Sequence, residues 1–415
     1  MINKKMLSLG QNRSAIRELF EKGKILKEKY GKENVFDFSI GNPSIPSPSQ
    51  VNDNIRNLLN GSPVELHGYT SAQGDKKVRD AISSYLNKTY DVNTDGDLIY
   101  LTSGAAAGLS ITLKAITSGS GDDEVIVFAP FFPEYKVFIN NANAKIITVK
   151  PDYKTFYPDL NDFENKITKN TSAIIINSPN NPTGVYYKKE VLENICKILE
   201  AKQKEFGHPI YIISDEPYRE LLYTYDKYDF ITNFYKNSIV TYSFSKSLSL
   251  PGERIGYILV NPKCESANEV YASICGAGRS LGYVCANSLF QYLIPDCLGL
   301  TSDISIYKKN SYTLYDDLTK IGYEVVKPDG AFYLFVKALI EDDNEFSKKA
   351  LDYNLLIVPS ESFGVSGYVR VASCVTEKQV LAAIPKFQEL FVHYNSWYIT
   401  FSQQTARKCR WVTYW

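Results

Sequence analysis

Histidine is scarce in this sequence, with residues only at 67, 208 and 393 among 415. So few imidazoles leave little raw material for a metal site or a Ser-His-Asp triad. The seven cysteines, at 196, 264, 275, 285, 297, 374 and 409, form no CxxC pair. An odd, scattered set argues against a disulfide framework. Net charge is missing too. Lys plus Arg and Asp plus Glu each number 46, so no basic field is available for nucleic acid or an anionic membrane. No stretch reaches the apolar length of a membrane span. The opening MINKKMLSLGQNRSAIRELFEKGK is charged where a signal peptide would be apolar. These gaps predict a cytoplasmic protein without metal, membrane or nucleic-acid partner, its chemistry carried by a cofactor.

What is present is a long alternating pattern. A chain of 415 residues is too long for one small core and suggests two lobes. Residues 14–30 carry apolar residues at helical spacing. FDFSIGNPSIPSPS then reads as a short strand entering a Pro/Ser-rich crossing. Short apolar runs follow at 124–130, 145–150, 172–179, 209–216, 238–244 and 254–260. Several are continuous and β-branched, as strands buried on both faces are. Helical patterns such as 187–206 separate them, which predicts an α/β core with a mainly parallel sheet. After about 305 a polar helix (303–320) and the strand-like AFYLFVK, LLIVPS and YVRVAS suggest a smaller α+β lobe. All three tryptophans (397, 411, 415) fall in the tail 396–415. That tail shows no period and reads as a segment outside the fold, with an extra strand or docking segment as the other option.

Ligands of open α/β sheets bind at the carboxyl ends of strands, and four such ends carry polar signatures. TSGAAAGLS (102–110) opens a helix with small residues, either an anion cradle or a tight turn. NSPNNPTG (177–184) fixes an unusual loop, from which Asn181 either offers an amide to the crevice or caps the loop. In ISDEPY, Asp215 follows an apolar strand and needs a partner. That partner is a helix N-terminus or a cationic ring nitrogen, and Tyr218 shares its face in a helical turn. In YSFSKSLSLPGERIGY, Lys246 sits among small hydroxyls and glycines instead of on a charged face. A desolvated lysine near cations becomes a nucleophile for carbonyls. Ser243 and Arg254 supply a hydroxyl and a fork for a phosphate.

Taken in order, NSPNNPTG, SDEPY and SFSKSLSLPGERIGY resemble the fold-type I pyridoxal-phosphate (PLP) aminotransferases of class I/II, over about residues 35–390. The resemblance implies PLP as cofactor, Lys246 as the Schiff-base lysine and Asp215 as the partner of the ring nitrogen. It places Asn181 and Tyr218 on the phenolic oxygen, and the phosphate on Gly104, Ala105, Ala106, Ser243 and Arg254. Phe132 becomes the aromatic stacked on the ring, where relatives often carry Trp or Tyr. Arg370, in YVRVAS, grips the substrate α-carboxylate with its planar fork, and Gly41, in SIGNPS, approaches the substrate. Tyr69, in HGYTSAQG, reaches a neighbour's phosphate, which implies a homodimer. The implied lobes are a large PLP-binding one at about 47–305 and a small one made of 1–46 plus 306–395. The implied activity is ping-pong transfer of an amino group between an L-amino acid and a 2-oxo acid. Aspartate is the first candidate donor, ahead of alanine or an aromatic amino acid. Arg279, in CGAGRSLGYVC, is either a distal-carboxylate ligand from the neighbouring subunit or a helix-end arginine. A carbon–sulfur β-lyase and a non-catalytic PLP-binding regulator are the alternatives.

Overall fold

The structure, a computed structural model, describes residues 2–11, 15–225 and 227–409. The large lobe is built on a seven-stranded sheet. Its strands are β1 (Ile99–Thr102), β2 (Glu124–Phe128), β3 (Lys145–Val149), β4 (Thr171–Asn177), β5 (Tyr211–Asp215), β6 (Ser238–Ser243) and β7 (Gly256–Val260). Their spatial order is β1-β7-β6-β5-β4-β2-β3. Six strands run one way and β7 alone runs against them.

The β-branched runs explain the inner strands. Ile126, Ile174, Ile212 and Val240 are fully buried, which requires cover on both faces of the sheet. Helices supply it. Ala105–Ile116 packs so closely that a Cβ on Gly108 would stand 3.4 Å from Ile258 and 3.5 Å from Thr241. Beyond β1, the helix Ala267–Leu281 buries Ile274 and Ala277 against Tyr100. β3 at the opposite edge is half-exposed along its length. β1 is absent from the runs that the sequence suggests, because four residues are too few to show a period. The run 254–260 begins late as a strand, since Arg254 holds a left-handed φ of 52° and pairing starts at Gly256.

The small lobe carries an antiparallel sheet of Val325–Val326, Tyr333–Lys337, Tyr368–Ala372 and Val358–Pro359. Its core joins Leu334, Val369 and Val371 to Leu314, Leu318 and Phe387 from flanking helices. The N-terminal segment is sewn in where Phe36–Asp37 pairs in parallel with Leu355–Leu356. The last helix is Glu377–Cys409, so the tail expected to lie outside the fold continues this helix in its backbone as far as Cys409. Side chains from 396 on, and residues 410–415, lie outside the described residues. Among the described residues no helix is long and apolar enough to cross a membrane.

Because six strands are parallel, Thr102, Phe128, Asn177, Asp215 and Ser243 all end on one edge of the sheet. At that edge the strands are pressed together. Gly256 pairs with Thr102 on one side and Ser243 on the other. A Cβ there would run into Tyr242 O and stand 3.2 Å from Gly104 Cα. Gly256→Ala is expected to cost about 1–3 kcal/mol of stability, read as a lower urea midpoint at unchanged slope.

Candidate active site

At the end of β6, Ser243 Oγ accepts from Ser245 N and caps a single helical turn, Phe244–Ser247. That turn carries Lys246 over the sheet edge into a cavity of about 380 Å³ between the lobes. Lys246 Nζ donates to Gly41 O at 2.6 Å and lies 5.3 Å from the Phe332 ring centre. Among the described residues no carboxylate pairs with it. Burial pulls its pKa down to about 8, opposed by Cys374 and assisted by the charges of Arg370 and Arg254. Gly41 must be glycine, because a Cβ there would collide with the Tyr333 hydroxyl.

Asp215, at the end of β5, is buried in the same cavity. Its Oδ2 accepts from Tyr135 at 2.6 Å, and its Oδ1 has no partner. Burial raises its pKa to about 7; the Tyr135 bond works against that and the Glu216 charge adds to it. Asn177 Nδ2 ties down the Asp215 carbonyl at 2.9 Å, and Asn177 Oδ1 accepts from Asn181 N at 2.8 Å. Tyr218 Oη shares a 3.0 Å hydrogen bond with Tyr333 Oη. Phe132 lines the cavity and meets the Tyr135 ring edge-on at 5.7 Å.

Arg370 enters from the small-lobe strand Tyr368–Ala372 and is buried. It donates to Asn181 Oδ1 at 3.0 Å and to Ser39 O. Its guanidinium lies 4.7 Å from the Tyr333 ring and 5.3 Å from the Phe363 ring. Its Nε has no partner. The fork is therefore rigid and free of any acidic partner, ready for a carboxylate.

Ala105 and Ala106 line the cavity at the start of a helix, and Gly104, Ser243, Ser245 and Arg254 lie behind or beside them. Gly104, at φ 83°, leads into Ala105–Ile116, and no side chain caps the free N–H groups there. Arg254 lies against Gly104 and donates only to carbonyls, Pro251 O at 2.9 Å and Ser103 O at 3.4 Å. The Ser243 and Ser245 hydroxyls are buried beside Lys246. A positive helix end, two hydroxyls and a guanidinium suit a phosphate. The orphaned Asp215 oxygen suits a cationic ring nitrogen. PLP carries both groups, and it carries an aldehyde for the Lys246 amine, so the residues present fit it.

Two expected residues stay apart from this cavity. Tyr69 is 98% exposed. Arg279 is exposed in the last turn of Ala267–Leu281. Three partners escaped the sequence. Tyr135 stands three residues after Phe132 in FAPFFPEY, a helical spacing that could have flagged it. Tyr333 gives no local signal. The third is the pair behind the site: Glu216 and Arg219 alternate with Asp215 and Tyr218 but point into the core. Arg219 Nε meets Glu216 Oε2 at 2.8 Å, and its guanidinium lies 4.5 Å from Tyr242, 4.8 Å from Phe230 and 5.2 Å from Tyr90.

A lysine, a buried acid, an uncapped helix N-terminus and an arginine fork that together fit PLP accompany the fold of a PLP-dependent enzyme family. The chain belongs to the aminotransferase class I and II family, whose pattern matches residues 33–387. Members of this family depend on PLP, and the chain is an aminotransferase. It is 30% identical to an aspartate aminotransferase of Thermotoga maritima over 91% of this chain and 96% of that one. It is also 30% identical to a probable N-acetyl-LL-diaminopimelate aminotransferase of Bacillus subtilis, over 87% of this chain and 90% of that one. A crystal structure of an aminotransferase from Eubacterium rectale superposes with TM-score 0.93 at 52% identity, covering 95% of this chain and 99% of that one.

The pair behind the site should matter to stability. Arg219→Met leaves the Glu216 carboxylate buried without compensation, an expected loss of about 3–5 kcal/mol. Glu216→Leu combined with Arg219→Met should recover most of it in urea titrations.

Proposed function

We propose that Lys246 holds PLP covalently and that the enzyme transfers amino groups from aspartate, as a cytoplasmic homodimer. The observation that carries this is a half-buried amine without an acid partner, sharing a cavity with an orphaned carboxylate oxygen and an arginine fork that has no acidic partner. Bound PLP supplies an electron sink for the electron pair left on the substrate Cα. The chain's own groups do the rest. Arg370 grips the α-carboxylate and, with Gly41, orients the Cα–H bond. Lys246 Nζ, once the substrate amine has taken its place on the cofactor, would take the Cα proton as general base, a role suited to a pKa near neutrality. Asp215 keeps the ring nitrogen protonated, with Tyr135 orienting its carboxylate. Asn181 and Tyr218 donate to the phenolic oxygen, and Phe132 covers the ring face. Gly104, Ala105, Ala106, Ser243 and Arg254 hold the phosphate.

An exposed patch supports the homodimer. Tyr69 is joined there by Val64, Tyr283 and Val284, 83%, 42% and 42% exposed. Cys285 N donates to Ala72 O at 3.2 Å, which brings the segment after Arg279 beside Tyr69. On this reading Tyr69 serves the partner's phosphate site, and Arg279 faces the partner.

The deciding experiment mixes the yellow holoenzyme with single amino acids and records loss of the visible cofactor band. Bleaching by aspartate, with return of colour on adding a 2-oxo acid, is expected. Failure to bleach with every amino acid overturns the reading. Lys246→Ala should lose both the band and all turnover; a variant keeping both would remove Lys246 from the chemistry.

The pH dependence has a defined sign. Below pH about 8 the folded-state lysine is protonated and unreactive. Uptake of PLP by the apoprotein should therefore accelerate with pH to a plateau with its midpoint near 8, not near the ordinary 10.5. Between those values the unfolded chain binds the extra proton, so this lysine makes apoprotein stability rise with pH.

A further inference from the structure

One cation in the cavity has no task in the scheme above. Arg17 lines the same cavity as Lys246 and Arg370, and among the described residues its guanidinium makes no hydrogen bond or ion pair. We propose that Arg17, from the same chain as Lys246, receives a second carboxylate on the substrate and makes the enzyme selective for dicarboxylic amino acids. This rests on the aminotransferase reading of the site and assigns its side-chain specificity to a residue in cis, in place of Arg279 in trans.

The placement follows from packing. Arg17 lies in the first turn of the helix Ala15–Tyr30. That helix is pinned to the small lobe by Leu19, which is buried with Val358 and Phe363, while Ile16 packs at the rim. Val358 is the register partner of Arg370, and the Phe363 ring lies 5.3 Å from the Arg370 guanidinium. The contacts that anchor the helix are thus the contacts that back the α-carboxylate fork. Arg17 and Arg370 stand on one wall.

Charge points the same way. The cavity is lined by three cations, Arg17, Lys246 and Arg370, and by one acid, Asp215. PLP takes Lys246 and Asp215, and the α-carboxylate takes Arg370. Arg17 is what remains. Glu21 and Asp37, on and beside its helix, are paired with Lys24 at 3.0 Å and Lys27 at 2.6 Å, while the exposed Glu18 next to it in the chain makes no ion pair with it among the described residues. Arg17 is solvent-exposed; Ile16, Ile40 and Leu109 line the same cavity, and a carboxylate held among them would be screened less than in open water. A fork that is always charged suits a carboxylate and gives a neutral side chain no matching gain.

The test compares Arg17→Met with Arg279→Met in the holoenzyme, using aspartate, glutamate and alanine as donors. A charge-assisted bond is worth about 1.5–3 kcal/mol, so Arg17→Met should lower the dicarboxylate-to-alanine ratio of kcat/KM about 10- to 100-fold. Arg17→Lys should recover part of the ratio. A second readout needs no turnover. Succinate should displace the visible band of the unmodified holoenzyme at lower concentration than propionate, and Arg17→Met should erase that preference. An unchanged ratio in Arg17→Met, or a ratio that collapses only in Arg279→Met, overturns the assignment. If the unmodified holoenzyme bleaches with no amino acid at all, the aminotransferase reading falls first, which is a distinguishable failure.

Discussion

The site depends on a carboxyl group buried at the end of a strand. Asp215 keeps one hydrogen bond, from Tyr135, and leaves its other oxygen without a partner. A buried orphan acceptor costs on the order of 1–3 kcal/mol. The surrounding structure bears that cost by fixing everything else about the residue. Asn177 holds its carbonyl, and Glu216 N donates to Thr241 O at 2.9 Å one residue later. The caged Glu216–Arg219 pair anchors the opposite side of the same turn. The backbone on either side of the carboxyl is thereby fixed, and against the upward push of burial the Thr241 hydroxyl near it works with Tyr135 to lower the Asp215 pKa.

Burial of this acid and burial of the lysine are one physical effect with opposite signs. Desolvation disfavours each charged form, so it moves Asp215 up to about 7 and Lys246 down to about 8. An acid and a base that ordinarily titrate far apart are brought close together near neutrality. The linkage signs differ accordingly. The folded state holds the Asp215 proton more tightly than the unfolded chain does, so its contribution to apoprotein stability is lost as pH rises toward 7. A protonated ring nitrogen beside Asp215 would reverse that term by giving the ionised form a partner. Cofactor binding and the stability of the sheet edge are therefore coupled through a single carboxylate.

Much of this was legible in the sequence, for physical reasons that differ by residue. Runs such as SAIIINSP show where two-sided burial forces strands, and Lys246 and Asp215 are readable because each follows such a run. Arg370 is readable through YVRVAS. Tyr333 was not, because a hydroxyl that meets a partner 115 residues away leaves no local pattern; Tyr135, whose partner is 80 residues away, had only its spacing from Phe132 to flag it. β1 was too short to show a period, and the boundary at Arg254 moved because a left-handed residue cannot continue a strand. The Glu216–Arg219 pair sits inside the SDEPY segment, but spacing alone does not say that one of two alternating acids faces the cavity and the other the core.

The two lobes divide the work unevenly. On the proposed reading, groups for the cofactor come from the ends of parallel strands in the large lobe, where the backbone is fixed on both sides by neighbouring strands. Groups for the substrate, Arg370 and Arg17, come from the small lobe and from a helix packed on it. Asn181 ties the two sets together, since its backbone is held by Asn177 and its side chain accepts from Arg370. Such a division lets side-chain preference change through the helix Ala15–Tyr30 without disturbing Asp215 or Lys246. It also explains how a chain with no net charge can handle anions. A long-range field is unnecessary when cations are gathered around one cavity, because a buried guanidinium such as that of Arg370 acts over a few ångströms with little screening. Selectivity then follows from which cation is left once the cofactor and the α-carboxylate have taken theirs.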